Sequence, residues 1–195
     1  MKLRNKYFIL RHGEALSNVK EVVSCWPEKM KNPLTKKGKE MIKVSAEKLK
    51  NTCAEQGRSI DLIFASPLLR TKMTAEIVAK KLKLKVKLDK RLREMGFGVL
   101  DLSSVDKLWE YFKSEEVRIR KKALRGETYP EILNRVISFL KDTDKKYKGK
   151  TILIVSHEGP LFLLQGKLEG LSIKETIKKY PFGKRIQKGE IRELN

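Results

Sequence analysis

One short stretch decides how the fold is read: Tyr7-Phe8-Ile9-Leu10-Arg11-His12-Gly13-Glu14. Its four apolar residues are typical of a strand buried in a parallel sheet. The charged residues and the glycine that follow at once indicate where this strand ends. His12 is one of only two histidines in the chain. The other, His157, directly follows the apolar segment Thr151–Ser156, which predicts a second buried strand of the same kind.

Strand patterns alternate with helix patterns along the rest of the chain. The predicted strands are Tyr7–Leu10, Asp61–Ser66, the alternating segment Leu82–Leu88, Thr151–Ser156 and Glu190–Leu194. The predicted helices are Lys36–Glu55 with Thr35 as its N-cap, Leu69–Leu82, a mixed helical region over Val105–Leu124, Tyr129–Tyr147, and one that begins near Pro160. This alternation predicts an α/β fold, a three-layer α/β/α sandwich with a mostly parallel central sheet. Lysines on one face of Leu82–Leu88 indicate an edge strand.

Length and composition narrow the class of protein. A chain of 195 residues can bury the core of one domain, and no run of about 18 apolar residues predicts a transmembrane helix. The apolar run after the basic N-terminus is too short for a signal-peptide core, so we expect a cytoplasmic protein without a membrane partner. Cys25 and Cys53 lack the spacing of zinc ligands, and we expect them to be partly buried small hydrophobes. We expect no metal and no other cofactor.

The net charge of +21, from 45 basic and 24 acidic residues, would attract anions such as phosphates, nucleotides or nucleic acid. The basic residues are spread from Lys2 to Arg192, however, and few aromatic residues lie among them. A general lysine-rich surface is the explanation of the charge that we favour. A nucleic-acid partner therefore stays open but is not expected.

Charged and polar side chains follow the predicted strands where each strand ends. Arg11 and His12 follow the first strand, Arg70 the second and His157 the last, while Glu94 comes soon after the alternating strand. Ligands of open α/β sheets bind beyond the carboxyl ends of the strands. A neutral imidazole is a nucleophile toward phosphorus, guanidinium groups match phosphoryl oxygens, and a buried carboxylic acid can protonate a leaving group. The pattern predicts a phosphoryl-transfer site.

Five motifs, in this order along the chain, resemble those of the histidine phosphatase superfamily, whose members include phosphoglycerate mutases. They are Leu10–Glu14 with Asn18, Asn32–Gly38, Ser66–Thr71 with Thr74–Glu76, Leu92–Gly98, and Ile154–His157. The Arg-His-Gly triplet alone would be a weak signal, but five motifs in register are specific. The resemblance implies a phosphoglycerate mutase-like fold in a single domain over residues 1–195, with residues 100–128 as a helical insertion on the substrate side.

The resemblance also implies roles for individual residues. His12 would be the nucleophile that becomes a phosphohistidine, and Glu94 would protonate the leaving alcohol and then activate water. Asn18 would line the phosphate pocket. Three further side chains would hold the phosphoryl oxygens: Arg11, Arg70 and His157.

Two residues of the motifs have competing interpretations. Glu14 is a candidate for phosphate or substrate binding, and a structural carboxylate bonded to nearby backbone is the alternative. Ser66 either positions the loop backbone or simply ends its strand, and we interpret it as the end of the strand.

Residues beyond the core motifs are candidates for substrate contact. Tyr129 and Glu127 are candidates for contact with the leaving group, although Thr128 between them also suits a helix cap. Glu158 stands where the family more often has a small residue. At the start of a helix it is favoured by the helix dipole, but if it points inward it would repel a second anionic group on the substrate.

The leading hypothesis is therefore a metal-independent phosphomonoesterase that acts through His12 on a small anionic phosphorylated substrate. A phosphoglycerate mutase is the alternative, and the compact chain favours the phosphatase because mutases of the family generally carry longer insertions. A non-catalytic phosphate- or nucleic-acid-binding module is the third hypothesis. The sequence determines neither the identity of the phosphoester nor the oligomeric state.

Overall fold

A five-stranded sheet forms the middle layer of the protein, whose computed structural model describes residues 2–195. The strands are β1 (Lys6–Arg11), β2 (Leu62–Ala65), β3 (Val86–Leu88), β4 (Thr151–Ser156) and β5 (Ile191–Glu193). They are ordered β3-β2-β4-β1-β5, and only β5 runs antiparallel to its neighbour. The predicted mostly parallel sheet is confirmed, and its central strand β4 is buried along its whole length.

Helices cover both faces of this sheet. They are α1 (Leu16–Val19), α2 (Lys36–Glu55), α3 (Leu69–Leu82), α4 (Val105–Phe112), α5 (Tyr129–Lys146), α6 (Glu158–Leu168) and α7 (Ile173–Lys179). Short 3-10 turns lie at Lys90–Leu92, Gly98–Leu100, Glu116–Ile119 and Phe182–Lys184. Buried side chains of α2 and α3 form one apolar cluster with the sheet, and those of α5 and α6 form another. The α/β/α sandwich is therefore confirmed.

Side chains of β1 and β4 alternate between the two clusters. Tyr7 and Ile9 of β1 pack on the α5 and α6 side, and Phe8 and Leu10 pack on the α2 and α3 side. Successive residues of a strand point to opposite faces, so a strand covered on both faces reads as a continuous apolar run. This explains why the runs at 7–10 and 151–156 were so clear in the sequence.

Some predicted boundaries are wrong. The alternating segment 82–88 forms a strand only over Val86–Leu88, because α3 extends to Leu82 and Lys83 then takes a left-handed conformation with φ 57°. The short strand does lie at the edge of the sheet, as predicted. The mixed region 105–124 divides into α4 and the turn Glu116–Ile119, after a positive φ of 59° at Lys113.

No helix within residues 2–195 is long and apolar enough to cross a bilayer. Cys25 and Cys53 are buried free thiols that pack with the apolar clusters.

Candidate active site

His12 lies just beyond the end of β1 and is 3% exposed. Its Nδ1 is 2.7 Å from the carbonyl oxygen of Gly13. Because a carbonyl only accepts hydrogen bonds, Nδ1 carries the ring proton and Nε2 keeps its lone pair. The Nε–H of Arg70 donates to this Nε2 at 3.2 Å.

The surroundings of His12 keep its ring neutral. Burial, together with the positive charges of Arg70 and Arg11, holds the pKa of His12 well below its usual 6.5. A neutral imidazole with an unprotonated Nε2 is the form that can attack phosphorus.

Arg70 lies in the first turn of α3, and its side chain is buried beside His12. Its Nη2 donates to the carbonyl oxygen of Ser24 at 2.9 Å. The Glu28 carboxylate lies 3.8 Å from Nη1 and accepts the Leu69 backbone N–H at 2.9 Å. Nη1 itself makes no hydrogen bond within residues 2–195. The guanidinium is thus fixed on two sides and retains one buried donor.

Arg11, the last residue of β1, is also fixed through part of its guanidinium. Its Nη1 donates to the carbonyl oxygen of Ile186 at 3.0 Å and lies 2.5 Å from a carboxylate oxygen of Glu158. Its buried Nε has no hydrogen-bond partner in the described part of the chain.

His157 lies directly after β4, in the N-cap position of α6, and is fully buried. Its Nε2 is 2.8 Å from the hydroxyl oxygen of Ser66. The same oxygen accepts the backbone N–H of Leu68 at 3.4 Å. No other acceptor for the Ser66 proton lies among residues 2–195, so this hydroxyl donates to Nε2 and the ring proton of His157 is on Nδ1. Our interpretation that Ser66 only ends its strand is therefore wrong.

The two histidine rings lie together with their centroids 5.2 Å apart. The Nδ1 of His157 makes no hydrogen bond within the described residues and is 3.9 Å from the Glu94 carboxylate. Burial and the charge of Arg70 lower the pKa of His157 well below its usual range. His157 therefore presents a neutral N–H donor, whereas His12 presents a lone pair.

Glu94 follows the turn Lys90–Leu92 and reaches the same place. Its side chain is 15% exposed, and Oε1 accepts the backbone N–H of Met95 at 2.8 Å. Burial raises the pKa of Glu94, and the negative charge of Glu158 adds to this effect. A carboxyl group with a raised pKa can donate a proton near neutral pH.

An ion-paired scaffold fixes the loop that contains Glu94. Glu127 accepts the Gly96 N–H at 2.8 Å and the Arg135 Nε–H at 2.9 Å. Arg135 in turn donates to the carbonyl oxygen of Glu94 at 3.1 Å. Glu127 is not among the residues that line the cleft, so our expectation of a leaving-group contact is wrong. The role of Arg135 was not predicted, because an arginine in an amphipathic helix pattern is expected on the exposed polar face.

Arg11, His12, Arg70 and Glu94 line a cleft of about 180 Å³, which also receives Asn18 and Tyr129. His157 is not among the lining residues, and its ring packs beside that of His12. The Oδ1 of Asn18 accepts the Ala15 N–H at 2.9 Å. Tyr129 is buried, and its hydroxyl donates to Glu115 at 2.7 Å. No group of three or more His, Cys, Asp or Glu side chains in residues 2–195 is arranged to hold a metal ion.

Glu14 is not brought to the cleft. Its carboxylate accepts the Thr35 hydroxyl at 2.7 Å, and the Thr35 side chain also accepts the Gly38 N–H as the N-cap of α2. The carboxylate therefore fastens the start of a helix to the strand-end loop. This agrees with the structural alternative and corrects the expectation that Glu14 binds phosphate.

Glu158 combines the two positions that the sequence left open, the start of a helix and an orientation toward the site. It is the first residue of α6 and it faces the cleft. One carboxylate oxygen pairs with Arg11 and the other with Arg185 at 3.3 Å. Two guanidinium groups therefore balance its charge.

Two buried arginines in the cleft were missed in the sequence, Arg118 and Arg185. Arg118 belongs to the basic segment 118–125, whose charge predicts an exposed surface. In the structure Arg118 turns inward. Arg185 lies in a short turn region with no periodic pattern. No local signal distinguished either from the many surface arginines.

The chain matches the histidine phosphatase superfamily (branch 1) over residues 7–181. It belongs to this superfamily. A relative from Photorhabdus laumondii, named "Probable phosphoglycerate mutase GpmB", is 32% identical over 173 residues, which cover 84% of this chain and 74% of that protein. Within the superfamily are both phosphatases and mutases, so membership supports an enzyme of phosphoryl transfer.

Two solved structures have the same fold as this chain. The alpha-ribazole phosphatase from Shigella flexneri superposes with a TM-score of 0.77 at 25% identity, over 97% of this chain and 90% of that one. Bacillus stearothermophilus YhfR superposes with a TM-score of 0.80 at 21% identity, over 97% and 90% of the two chains.

Proposed function

We propose that the protein is a phosphomonoesterase that acts through a phosphohistidine on His12. One observation carries the proposal: the lone pair of His12 Nε2 lies in a buried site where three N–H donors lack a protein partner within residues 2–195. These donors are Arg11 Nε, Arg70 Nη1 and His157 Nδ1. Buried donors of this kind suit the oxygens of a phosphoryl group, especially as their charge grows in the transition state.

In the first step, Nε2 of His12 attacks phosphorus and the bond from phosphorus to the ester oxygen breaks. Glu94 gives its proton to the leaving oxygen, so the alcohol departs neutral. Before this attack, Arg70 has to exchange its hydrogen bond to Nε2 for one to a phosphoryl oxygen, because the attack needs the lone pair of Nε2. The raised pKa of Glu94 supports this role, because the acid has to be protonated at the start.

In the second step, the Glu94 carboxylate takes a proton from water while the water oxygen attacks phosphorus. The bond from phosphorus to Nε2 breaks, phosphate leaves, and both His12 and Glu94 return to their starting protonation states. The cycle is balanced with water as the only co-substrate.

Trapping of the intermediate tests the proposal. A brief reaction with a phosphomonoester labelled in its phosphoryl group, stopped in alkali, should leave label on the wild type that acid then releases. His12→Ala should retain none. Absence of trapped label together with no turnover of any phosphoester in a broad panel would contradict both an esterase and a mutase.

A phosphoglycerate mutase is the second candidate, and the name of the relative from Photorhabdus laumondii favours it. Such an enzyme would return the phosphoryl group to a bound phosphoglycerate instead of water. Assays of phosphate release and of interconversion between 2- and 3-phosphoglycerate separate the two. We expect phosphate release to dominate. Affinity for RNA or DNA that falls with salt and survives His12→Ala would instead support the binding-module hypothesis.

A further inference from the structure

The cleft contains a carboxylate, that of Glu158, which the reaction proposed above does not use. Glu158 is the first residue of α6, and its side chain is 17% exposed. One carboxylate oxygen is 2.5 Å from Nη1 of Arg11, and the other is 3.3 Å from Nη1 of Arg185. A carboxylate beside a phosphoryl group repels it, so Glu158 weakens substrate binding unless it contributes to another step.

The guanidinium of Arg11 has little else to fix its orientation. Within residues 2–195, its only side-chain hydrogen bond runs from Nη1 to the carbonyl oxygen of Ile186, at 3.0 Å. Arg70 differs, because two of its nitrogens donate to different acceptors. A guanidinium held by one hydrogen bond can rotate about that bond, whereas a second contact restricts it. For Arg11 this second contact is the ion pair with Glu158.

Both contacts of Arg11 are made by the same nitrogen. Nη1 takes part in the ion pair and the hydrogen bond, whereas the buried Nε makes no hydrogen bond in the described part of the chain. Nε and Nη2 together form the edge of a guanidinium that binds two oxygens at once. Because Nη1 lies on the opposite side from this edge, the ion pair with Glu158 leaves the edge for phosphoryl oxygens.

Arg185 holds the carboxylate of Glu158 in place. Arg185 is 2% exposed, and its guanidinium carbon lies 3.9 Å from the centroid of the Phe162 ring. The same guanidinium pairs with Glu115. A carboxylate bound to a buried and stacked guanidinium has little freedom to follow a moving partner. Glu158 therefore gives Arg11 a fixed point of attachment.

We propose that Glu158 is a positioning residue that holds the guanidinium of Arg11 in the orientation needed in the transition state. The inference rests on the proposed esterase function and assigns a further residue to its phosphoryl-transfer step. Repulsion by Glu158 acts on bound phosphate already in the ground state, whereas an oriented donor stabilises most strongly the charge that develops on the phosphoryl oxygens. Loss of Glu158 should therefore slow the chemical step without weakening the binding of phosphate.

The nitrophenol burst from p-nitrophenyl phosphate measures the first step without a proton from Glu94. In Glu158→Gln the burst rate at saturating substrate should fall about tenfold. Glu158→Ala should lose more, because glutamine keeps one acceptor oxygen for Arg11. The substrate dissociation constant, taken from the concentration dependence of the burst, should stay the same or decrease by up to about threefold. A burst rate within about twofold of wild type, or weaker binding in parallel with a slower burst, would overturn the proposal.

Further variants show whether Glu158 acts through Arg11. In an Arg11→Met background, Glu158→Gln should change the burst rate by less than about twofold. A loss of about tenfold in that background would overturn the proposal. Glu76→Gln removes an exposed carboxylate on α3 and should leave the burst unchanged. If Glu158→Ala does not fold, Glu158→Gln, which has the same size, still decides.

Binding of oxyanions separates this inference from the proposed reaction. Orthovanadate can take the five-coordinate geometry of the transition state, whereas inorganic phosphate resembles the ground state. By calorimetric titration, the wild-type Kd for vanadate should lie at least about a hundredfold below that for phosphate. Glu158→Gln should reduce this ratio about tenfold. A wild-type ratio near one would contradict the reaction at His12 and the inference with it. A high ratio that Glu158→Gln leaves intact would overturn the positioning role alone.

Discussion

At the scale of single residues, one hydrogen bond gives each histidine its character. A carbonyl oxygen beside Nδ1 leaves His12 with a lone pair on Nε2, and a hydroxyl beside Nε2 leaves His157 with a proton on Nδ1. Two identical side chains thus become a nucleophile and a hydrogen-bond donor. The sequence predicted that the two histidines would lie close together, but it did not predict which ring nitrogen of each carries the proton.

The role of Glu94 leads to a prediction about leaving groups. Glu94→Gln cannot donate a proton, so turnover of alkyl phosphates should fall by about a hundredfold or more. An aryl phosphate such as p-nitrophenyl phosphate leaves without help, so the variant should still release a burst of nitrophenol. The phosphoenzyme should then accumulate, because activation of water is also lost. Rapid-mixing absorbance measures the burst, and an equal loss for both substrate types would contradict the role.

The pH dependence of kcat/KM follows from the same pKa shifts. Glu94 has to be protonated, so kcat/KM for alkyl phosphates should fall as pH rises through its raised pKa. No acid limb should be seen near pH 6.5, because the pKa of His12 lies well below that value. Glu158→Gln removes a charge that raises the pKa of Glu94 and should move the alkaline limb to lower pH. Glu76→Gln, exposed on α3, is the control and should not move it.

At the scale of elements, the periodic segments were predictable and the aperiodic ones were not. Helices α2 and α5 begin at the predicted residues, and α2 also ends where predicted, because an amphipathic repeat and a cap are local features. The segment 82–88 alternates, yet only its last three residues form a strand, because Leu82 ends α3 and Lys83 is left-handed. Contacts that fix the Glu94 loop, from Glu127 and Arg135, come from more than 30 residues away.

The start of α6 gives a prediction that separates activity from stability. A Cβ on Gly159 would lie 3.1 Å from Oε1 of Glu94 and would have to displace this carboxylate by a few tenths of an ångström. Gly159→Ala should therefore lower kcat for alkyl phosphates by about tenfold. Stability should be unchanged or higher by up to about 1 kcal/mol, since alanine favours the helix.

Thermal unfolding and alkyl phosphate kinetics measure both effects of Gly159→Ala. Gly183→Ala is a matched control, because nothing lies within 4 Å of the added Cβ, and it should keep its wild-type kcat. A fully active Gly159→Ala would contradict the close fit between Glu94 and α6.

At the scale of the whole molecule, burial of two neutral histidines links stability to pH. Their folded pKa values lie below the usual 6.5, so the unfolded chain binds more protons as pH falls, and the free energy of unfolding decreases. Between pH 7 and 5 the loss should reach up to about 2 kcal/mol for each histidine. Glu94 acts in the opposite direction because its folded pKa is raised.

Urea unfolding in a Glu94→Gln background isolates the histidine effect. In that background, His157→Asn should lose about half of the decrease in the free energy of unfolding between pH 7 and 5, with one buried histidine left. An unchanged pH dependence would show that His157 is not held neutral in the folded protein.

The sequence by itself determined the layers of the fold and the meeting of His12, His157, Arg11, Arg70 and Glu94. Strand and helix periods are local, and the carboxyl ends of parallel strands share one edge of the sheet. Only the tertiary structure decided which further charged residues face the cleft. Glu14 and Glu127 turned out to be structural, while Arg118 and Arg185 turned inward. Whether a surface-like charge is buried depends on packing between distant segments, and no local pattern of residues encodes that packing.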